Sequence, residues 1–512
     1  MVSEIASIET VTDAPVLTAR AWSPQQQAIF GWFQDCRGHL IVEAGPGSGK
    51  TTVIVEGITH APEARIVVCA FNKRIQEELA ARLTNPAAEA KTFHGIGFAI
   101  ARQFWPGVSV ARDRVRVTSL VNAVCDASVP GPIQRLVGTL LTLAREMAPH
   151  ATEVGQLTDL AVAFDCEPSE EWEAAGWDLD AIEARVLDAM VLAAETMPAD
   201  GIDFADMIYV PVRNRWAAPR YDLVVVDEMQ DMSRAQLDLV QGVNRGRFVG
   251  VGDANQSLYA FRGCETRGMA RMREELSAIS LGLTVSYRCA RAIVREAQAI
   301  VPTIEWAPGA IEGSVQSVAT IEAMCRQVGP QDFVLSRTNA PLVKVAMALI
   351  RAGKPVRIQG RDIGQGLITL ARTLMRGDAA VRVEAFLERV VQWERREVLR
   401  AVKADRGDRV QGICDKGETL RVLAEGVDQP SEVETRLTHL FSDTGLASAV
   451  VCSSIHRAKG LEARRVFLLR PTLYPRLPKG VTQTPEQAQQ ERNAHFVAIT
   501  RAQETLVYVE EK

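Results

Sequence analysis

The fold class follows from Leu40-Ile41-Val42-Glu43-Ala44-Gly45-Pro46-Gly47-Ser48-Gly49-Lys50-Thr51-Thr52, in which a short apolar run leads into a glycine-rich loop. Glycines allow such a loop to turn its backbone N–H groups towards phosphate oxygens, and the helix predicted to follow adds a favourable dipole. Lys50 is expected to reach the β- and γ-phosphates of a nucleotide, and the Thr51 hydroxyl to bind Mg²⁺. The strict pattern has glycine where Ala44 stands. The predicted phosphate-binding residues are Ala44, Gly45, Pro46, Gly47, Ser48, Gly49, Lys50, Thr51 and Thr52.

A second motif places two acids at the end of another apolar run. The predicted strand Leu223–Val226 is followed by Asp227-Glu228-Met229-Gln230-Asp231. Ligands of open α/β sheets bind at the carboxyl ends of the strands, so Asp227 is expected to hold Mg²⁺. Glu228 is expected to take a proton from an attacking water. The alternative is a solvated strand end, which the phosphate loop makes the weaker interpretation.

The rest of the chain alternates short apolar runs with helical stretches, which is typical of parallel α/β layers. The predicted strands are Leu40–Glu43, Ile66–Ala70, Leu223–Val226, Phe248–Val251, Phe333–Ser336, Val450–Ser453, Val466–Leu469 and Leu506–Val509. Two stretches with few strand signals are predicted to be helical insertions. We therefore expect a first α/β core (1–95 plus 204–285) with a helical insertion (96–203), and a second core (286–360 plus 450–512) with a shorter insertion (361–449).

Composition leaves the class of partner open. The hydrophobic content is 47% and the formal net charge is −5, so any nucleic-acid surface must be confined to a local groove. Nine cysteines are scattered without metal-ligand spacing, which favours reduced, mostly buried thiols. We see neither a membrane span nor a signal peptide, and we expect a cytoplasmic protein.

With these motifs in place, the sequence resembles the UvrD/Rep family of superfamily 1 DNA helicases. The resemblance runs from about Trp22 to the C-terminus outside the helical insertions. The further motifs that carry it are Ser23-Pro24-Gln25-Gln26, Val249 to Gly263, Ser286-Tyr287-Arg288, Ser454 to Glu462 and Gln490 to Ala502. It implies two RecA-like P-loop NTPase cores with parallel sheets, with ATP and Mg²⁺ as cofactors in the cleft between them.

The resemblance also implies roles around the nucleotide. Gln26 would read the adenine edge, Tyr287 would stack on adenine, and Glu462 would contact the ribose. Gln256 would sense the γ-phosphate. Arg288 and Arg501 would approach it as arginine fingers, since a guanidinium suits the charge that develops during phosphoryl transfer.

A third set of residues is expected, by resemblance, to contact DNA. They are Phe71, Asn72, Thr92, His94, Tyr259, Phe261, Arg262, Arg337 and His456. An aromatic ring can stack on any base, although an aromatic residue outside such a motif more often belongs to a core. Two departures are noted: the family often has Thr between Phe71 and Asn72, and Trp where Phe261 stands.

The short second insertion bears on the function. Arginines from Arg389 to Arg409 form a DNA-binding face or, equally, a helix face with surface ion pairs. Within the same stretch, Ser431 and Glu434 have capping-box spacing. The resemblance predicts a 3′→5′ helicase acting on single-stranded DNA and single-/double-strand junctions, as a monomer or weak oligomer.

Three other functions account for these motifs less well. The first is a DNA-dependent ATPase that remodels protein–DNA complexes without efficient unwinding, which the short insertion motivates. The second, a recruitment factor with a vestigial ATPase, is disfavoured by the intact catalytic residues. The third, a nucleotide kinase, leaves the later motifs unexplained. No nuclease domain is expected beyond Arg501.

Overall fold

The computed structural model describes residues 21–35, 37–112, 115–164, 166–168, 170–258, 268–375, 382–403, 407–441, 449–473 and 485–510. Its strands are β1 Leu40–Ala44, β2 Ile66–Ala70, β3 Ala88–Thr92, β4 Tyr221–Val226, β5 Asn244–Gly252, β6 Ile279–Leu283, β7 Val285–Ser286, β8 Glu305–Trp306, β9 Ser314–Val318, β10 Phe333–Ser336, β11 Val356–Ile358, β12 Val450–Ser454, β13 Ala463–Leu469 and β14 Ala502–Val509.

The helices before β7 are α1 Pro24–Asp35, α2 Lys50–Thr59, α3 Lys73–Arg82, α4 Phe93–Phe104, α5 Val115–Val124, α6 Gly131–Met147, α7 Thr158–Phe164, α8 Glu170–Ala174, α9 Leu179–Glu195, α10 Phe204–Arg213, α11 Arg234–Val243 and α12 Gly268–Glu275. Those after it are α13 Arg291–Gln298, α14 Ile321–Gln327, α15 Ala340–Arg351, α16 Arg361–Met375, α17 Val383–Lys403, α18 Gly407–Ala424, α19 Pro430–Leu440 and α20 Pro485–Ile499.

The first sheet has six parallel strands in the order β3-β2-β4-β5-β1-β6. Its central strands are buried apolar runs, as expected for a sheet covered on both faces. Because all strands are parallel, the loops after β1, β2, β3, β4 and β5 leave from the same edge. That edge brings together the phosphate loop, the Asp227–Glu228 pair and the segment after Gly252.

The second sheet also has six parallel strands, in the order β11-β12-β10-β13-β14-β9. Ser336 at the end of β10 pairs with Ser454 at the end of β12. Two of the loops expected to contact DNA, which carry Arg337 and His456, therefore start side by side. The predicted fold class, α/β with two parallel sheets, is confirmed.

Helices α4 to α10 stand between β3 and β4 and enclose a hydrophobic core of their own. A buried ion network ties this layer together: Arg145 Nη1 lies 3.0 Å from Asp203 Oδ1 and 2.7 Å from Asp206 Oδ1. Arg116 Nε lies 2.7 Å from Asp206 Oδ2. Buried charges persist only when paired in this way. The network fixes the start of α10, which packs against α4 next to the first sheet.

Helices α16 to α19 stand between β11 and β12 and pack directly on the second sheet. Leu367, Phe386, Leu423 and Leu437 from these helices share one hydrophobic core with strands β10, β12 and β13. Asp415 on α18 accepts hydrogen bonds from the backbone N–H groups of Asn339 and Ala340, at the start of α15. The insertion is thus a layer fixed to the second sheet.

No disulfide joins the cysteines in the described part of the chain, and all of them except Cys414 are buried. Among the same described residues, no helix combines the length and the apolar character needed to cross a membrane.

Candidate active site

The loop between β1 and α2 has the geometry of an anion site. Gly47 and Gly49 adopt left-handed backbone conformations, with φ of 69° and 84°. Ser48 N–H donates to Gly45 O at 3.3 Å, which curls the loop. Lys50 is the first residue of α2, so the helix N-terminus and its unpaired N–H groups point into the loop. A phosphate group fits this arrangement.

The segment Tyr287–Arg288, on the side of the second sheet, contacts the phosphate loop at Gly47. Tyr287 N–H donates to Gly47 O at 2.9 Å. A Cβ atom placed on Gly47 would lie 2.4 Å from Arg288 Cβ, a distance that Cβ atoms do not tolerate. Gly47 is therefore required both by its positive φ and by the close approach of the Tyr287–Arg288 segment.

Replacing Gly47 with Ala is expected to lower ATP turnover about tenfold or more, because the left-handed strain alone costs about 1–3 kcal/mol. The clash with Arg288 adds to this by holding the segment away from the loop. Steady-state ATPase rates would measure the loss. Gly31→Ala on α1 is the control, since a Cβ there meets no atom within 4 Å. Equal rates for Gly47→Ala and the parent protein would contradict the close contact.

The acidic pair follows β4 and faces the phosphate loop. Thr51 Oγ1 donates to Asp227 Oδ2 at 3.3 Å, and Lys50 Nζ lies 3.9 Å from Glu228 Oε2. Burial and the neighbouring Glu228 carboxylate raise the pKa of Asp227 to about 7. Desolvation also disfavours ionised Glu228, but Lys50 and Lys459 outweigh it and hold the pKa of Glu228 below its ordinary value. Glu228 is therefore ionised at neutral pH, and Asp227 becomes fully ionised beside an added cation.

The backbone of Glu228 is strained, and Gln230 orients its side chain. Glu228 has φ 52° and ψ 43°, a left-handed conformation that costs non-glycine residues free energy. Gln230 Nε2 donates to Glu228 Oε2 at 2.6 Å, and Gln230 Oε1 accepts from Asp253 N–H at 3.0 Å. Gln230 thus links the ends of β4 and β5 and aims the carboxylate into the cleft.

Gln256 lies in a short 3₁₀ turn, Ala254–Gln256, called here the Gln256 turn. Its Nε2 donates to Asp253 Oδ2 at 2.6 Å, which fixes the amide orientation. Its Oε1 accepts from Arg501 Nη2 at 3.3 Å. A candidate phosphate sensor on the first sheet and a candidate arginine finger from the second are therefore already in contact.

Arg501 and Arg288 enter the cleft from the second sheet's side. Arg501 is buried and also donates to Val497 O at 3.0 Å and Leu461 O at 3.1 Å. Burial, followed by the nearby Arg288 charge, lowers the pKa of Arg501 to about 10, so it remains charged at neutral pH. Arg288 forms an ion pair with Glu462.

A cavity of about 720 Å³ separates the two groups of residues. It is lined by Pro46, Gly47, Ser48, Gly49, Lys50, Thr51, Thr52, Phe71, Asn72, Ile75, Arg82, Glu228, Asp231, Gln256, Tyr287, Arg288, Lys459, Gly460, Glu462 and Arg501. Both sheets therefore supply walls to one cavity of the size that a nucleotide needs.

The two residues expected to hold adenine differ in exposure. Tyr287 lines the cavity and is 46% exposed, so it is accessible for stacking. Gln26 is buried, and its Oε1 accepts from Ser23 N–H at 3.0 Å while its own N–H donates to Ser23 Oγ. This reciprocal cap holds Gln26 at the start of α1, next to Gly49 of the phosphate loop.

The residues expected to contact DNA on the first sheet divide into two groups. Phe71 and Asn72 line the nucleotide cavity, and the Asn72 side chain caps α3 by accepting from Ile75 N–H. Thr92 caps α4 by accepting from Gly95 N–H at 3.0 Å. His94 is half-buried and packs edge-on against Phe204, with ring centroids 5.3 Å apart.

On the second sheet, Arg337 is not a free cation. Its guanidinium donates to both carboxylate oxygens of Glu491 on α20, at 2.7–3.2 Å. His456 is half-buried two residues after β12. The remaining predicted DNA contacts, Tyr259, Phe261 and Arg262, lie outside the described residues.

Several residues at or near the site, among them Gln230, Lys459, Arg82 and Phe204, had no predicted role. Gln230 and Lys459 lie within motifs named above, but the spacing of those motifs does not indicate which distant residues they contact. Arg82 lines the cavity and donates to Thr52 Oγ1 at 3.2 Å. Phe204 is 64% exposed at the first position of α10. It could have been noticed in the sequence as an apolar residue directly after Asp203, which caps the helix.

No cluster of three or more His, Cys, Asp or Glu side chains arranged to hold a metal occurs among the described residues. Magnesium, however, needs only one or two carboxylates alongside water and phosphate oxygens. The hydroxyl of Thr51 and the carboxylate of Asp227, 3.3 Å apart, are a donor set of that kind.

Comparison with known proteins agrees with this geometry. Residues 22–277 match the UvrD/REP helicase N-terminal domain family, and residues 420–511 match the UvrD-like helicase C-terminal domain family. The first match alone takes in the phosphate loop, the acidic pair and Gln256, and the second takes in Arg501.

The individual proteins that resemble the chain share about a quarter of its residues over the matched stretches. The chain is 25% identical to the ATP-dependent DNA helicase UvrD2 of Mycobacterium tuberculosis, over 91% of this chain and 75% of that protein. It is 24% identical to the ATP-dependent DNA helicase PcrA of Leuconostoc citreum, over 69% of this chain and 51% of PcrA. It is 26% identical to the ATP-dependent DNA helicase Rep of Escherichia coli, over 54% of this chain and 42% of Rep. The chain thus spans about half the length of PcrA and less of Rep. The match of residues 22–277 covers half of the sequence, and on it the chain belongs to the UvrD/REP helicase family.

Proposed function

We propose that this chain is an ATP-dependent DNA helicase that moves 3′→5′ along single-stranded DNA. The observation that carries the proposal is the single cavity walled by the phosphate loop on one side and by Arg288 and Arg501 on the other. The names of the relatives support the substrate class. The direction is inferred from the family resemblance alone.

The two motor cores are assigned to 1–95 plus 204–285 and to 286–360 plus 450–512. The mainly helical stretches 96–203 and 361–449 are assigned as their insertions. This division is supported by two separate parallel sheets, each interrupted in sequence by helices.

The nucleotide roles are those that the family resemblance implies, and the positions of Lys50, Glu228, Gln256, Tyr287, Glu462 and Arg501 along the cavity support them. Lys50 binds the β- and γ-phosphates, and Tyr287 stacks on the base beside Gln26. Glu462 contacts the ribose once Arg288 turns from it towards the γ-phosphate. Glu228 accepts a proton from the attacking water, which Gln256 helps to orient, and Arg501 stabilises the charge on the transferred phosphoryl group.

Thr51 and Asp227 would hold Mg²⁺. The bound ion would neutralise charge on the phosphate oxygens and would compensate the buried Asp227 carboxylate, whose pKa burial raises to about 7.

Movement follows from the position of the cavity between the cores. ATP contacts both walls, so binding favours a closed arrangement and hydrolysis allows it to reopen. DNA lying across the loops that follow β3, β10 and β12 would be held by both cores in turn. The exposed Phe204 ring beside His94 offers a stacking surface on this path, and stacking contributes about 1–3 kcal/mol per base.

A second candidate is a translocase that remodels protein–DNA complexes without efficient unwinding. The observation that favours it is the second insertion, whose helices are fixed to the sheet by a shared core and by the Asp415 cap. An insertion held in this way offers little independent surface for gripping a duplex ahead of the motor.

ATP turnover is expected to rise at least about tenfold with single-stranded DNA and much less with RNA or duplex DNA. The rates are measured with each nucleic acid at saturating concentration. Duplexes with a 3′ or a 5′ single-stranded tail then test direction, and only the 3′-tailed duplex should be separated.

Three results would decide against parts of the proposal. Stimulation without strand separation would support the remodelling translocase. Separation of the 5′-tailed duplex alone would reverse the direction. An ATPase indifferent to nucleic acid would remove DNA as the substrate.

A further inference from the structure

The Gln256 turn belongs to the first sheet, but side chains from the other side of the cleft hold it. Asn493 on α20 donates through Nδ2 to Ala254 O at 3.2 Å and to Ser257 O at 3.1 Å. Lys459 Nζ donates to Gln256 O at 2.6 Å. Three backbone carbonyls, two in this turn and that of Ser257 directly after it, are thus bonded across the interface between the cores.

The Asn493 amide is oriented for this contact. Its Oδ1 accepts from Gln489 Nε2 at 2.8 Å, one turn earlier on α20. With the oxygen fixed, both N–H groups point at the Gln256 turn, and the residue itself is buried. The side chain therefore has its full set of partners only while α20 lies against the turn.

Lys459 reaches a second catalytic loop. It forms an ion pair with Asp231 at 2.5 Å, with side-chain exposures of 9% and 7%. Asp231 ends the short 3₁₀ helix that begins at Met229, directly after Glu228. One ammonium group therefore joins the loop of the candidate general base to the turn of the candidate phosphate sensor. A buried ion pair adds little net stability, so stability alone does not account for it.

We propose that Lys459 and Asn493, the bridging residues, are positioning residues for ATP hydrolysis. They hold Glu228 and Gln256 in their working arrangement only when the second core is closed on the first. Hydrolysis is thereby restricted to the closed state, in which both cores can hold DNA. This inference rests on the proposed function, since it concerns the same nucleotide site.

The test compares Asn493→Ala with the parent protein in DNA-stimulated ATP hydrolysis. The phosphate loop and Tyr287 are untouched, so we expect kcat to fall about tenfold or more while KM for ATP stays within about twofold. Asn244→Ala is the matched control. Asn244 lies at the opposite end of β5, its side chain bonds to the backbone of Gly246 two residues away, and its replacement should leave both constants unchanged.

Lys459 is tested together with its partner, because removing one charge alone would leave the other buried and unpaired. Lys459→Met combined with Asp231→Asn removes both charges, and the same loss in kcat is expected. Thermal melting separates positioning from folding: the proposal expects a melting temperature close to that of the parent. It is overturned if kcat is unchanged in both variants, or if losses in kcat are matched by a large drop in melting temperature. A parent without DNA-stimulated ATPase would instead reject the proposed function.

Discussion

Replacing Glu228 with Gln is expected to lower ATP turnover by about 10²–10⁴-fold, the range lost with a general base. The side chain keeps its size, and Gln230 can still bond to the remaining carbonyl oxygen. Lys50 loses only a partner 3.9 Å away, so it stays available to phosphate and ATP affinity should change little. Single-turnover hydrolysis and equilibrium binding of a fluorescent ATP analogue would measure the two quantities separately.

Removing the negative charge of Glu228 also removes its repulsion of the neighbouring Asp227 carboxylate. The Glu228 carboxylate is one of the causes that raise the pKa of Asp227, so Asp227 should ionise more readily in the variant. Magnesium-dependent binding is therefore expected to be kept or strengthened. Glu195→Gln, an exposed position at the end of α9, is the control for the amide substitution. Turnover within about threefold of the parent would reject Glu228 as the base.

The central strands were predictable from sequence, and the edge strands were not. All eight predicted strands are present. In the two sheets the strands that were missed are β3, β6, β9 and β11, and these four are the edges. A central parallel strand is buried on both faces and reads as a continuous apolar run, such as Leu223–Val226. An edge strand such as Ser314–Val318 is partly exposed and polar, so it lacks this signal.

One local prediction was wrong. Ser431 and Glu434 have capping-box spacing, but Gln429 and Glu432 form the cap of α19. Pro430 explains the shift, since proline fits the first helical position, where its missing N–H removes no hydrogen bond. The helix therefore begins two residues earlier than the motif suggests.

At the candidate site, the sequence predicted many of the residues but not the residues that they contact. Motif spacing is local, and it placed the phosphate loop, Glu228 and Gln256 at strand ends, where the structure has them. The bonds of Asn493 to Ala254 and of Lys459 to Asp231 span more than 200 residues. They depend on how the two sheets face each other, which no local pattern encodes. Arg337 also has a partner distant in sequence, in this case within the second core: its ion pair with Glu491 competes with the predicted DNA contact.

Replacing Arg501 with Lys is expected to lower ATP turnover about 10³-fold or more, the effect associated with an arginine finger. Arg501 donates to Val497 O, Leu461 O and Gln256 Oε1 from three different nitrogens. A lysine ammonium cannot span these positions, and its single charged atom cannot present a planar fork to a phosphoryl group. The loss is expected in the hydrolysis step, measured by single turnover at saturating ATP, with binding to the phosphate loop retained.

The Arg501 prediction tests the second core, whereas the Glu228 prediction tests the first, because Arg501 lies on the opposite side of the cleft from the phosphate loop. A large loss in the hydrolysis step would show that the second core completes the catalytic site of the first. Without that coupling, ATP hydrolysis could not move one core relative to the other. Arg464→Lys on β13, with its side chain 80% exposed, is the control for the substitution itself. If Arg501→Lys keeps turnover within about tenfold of the parent, Arg501 is not the finger, and its buried bonds serve only to hold α20 in place.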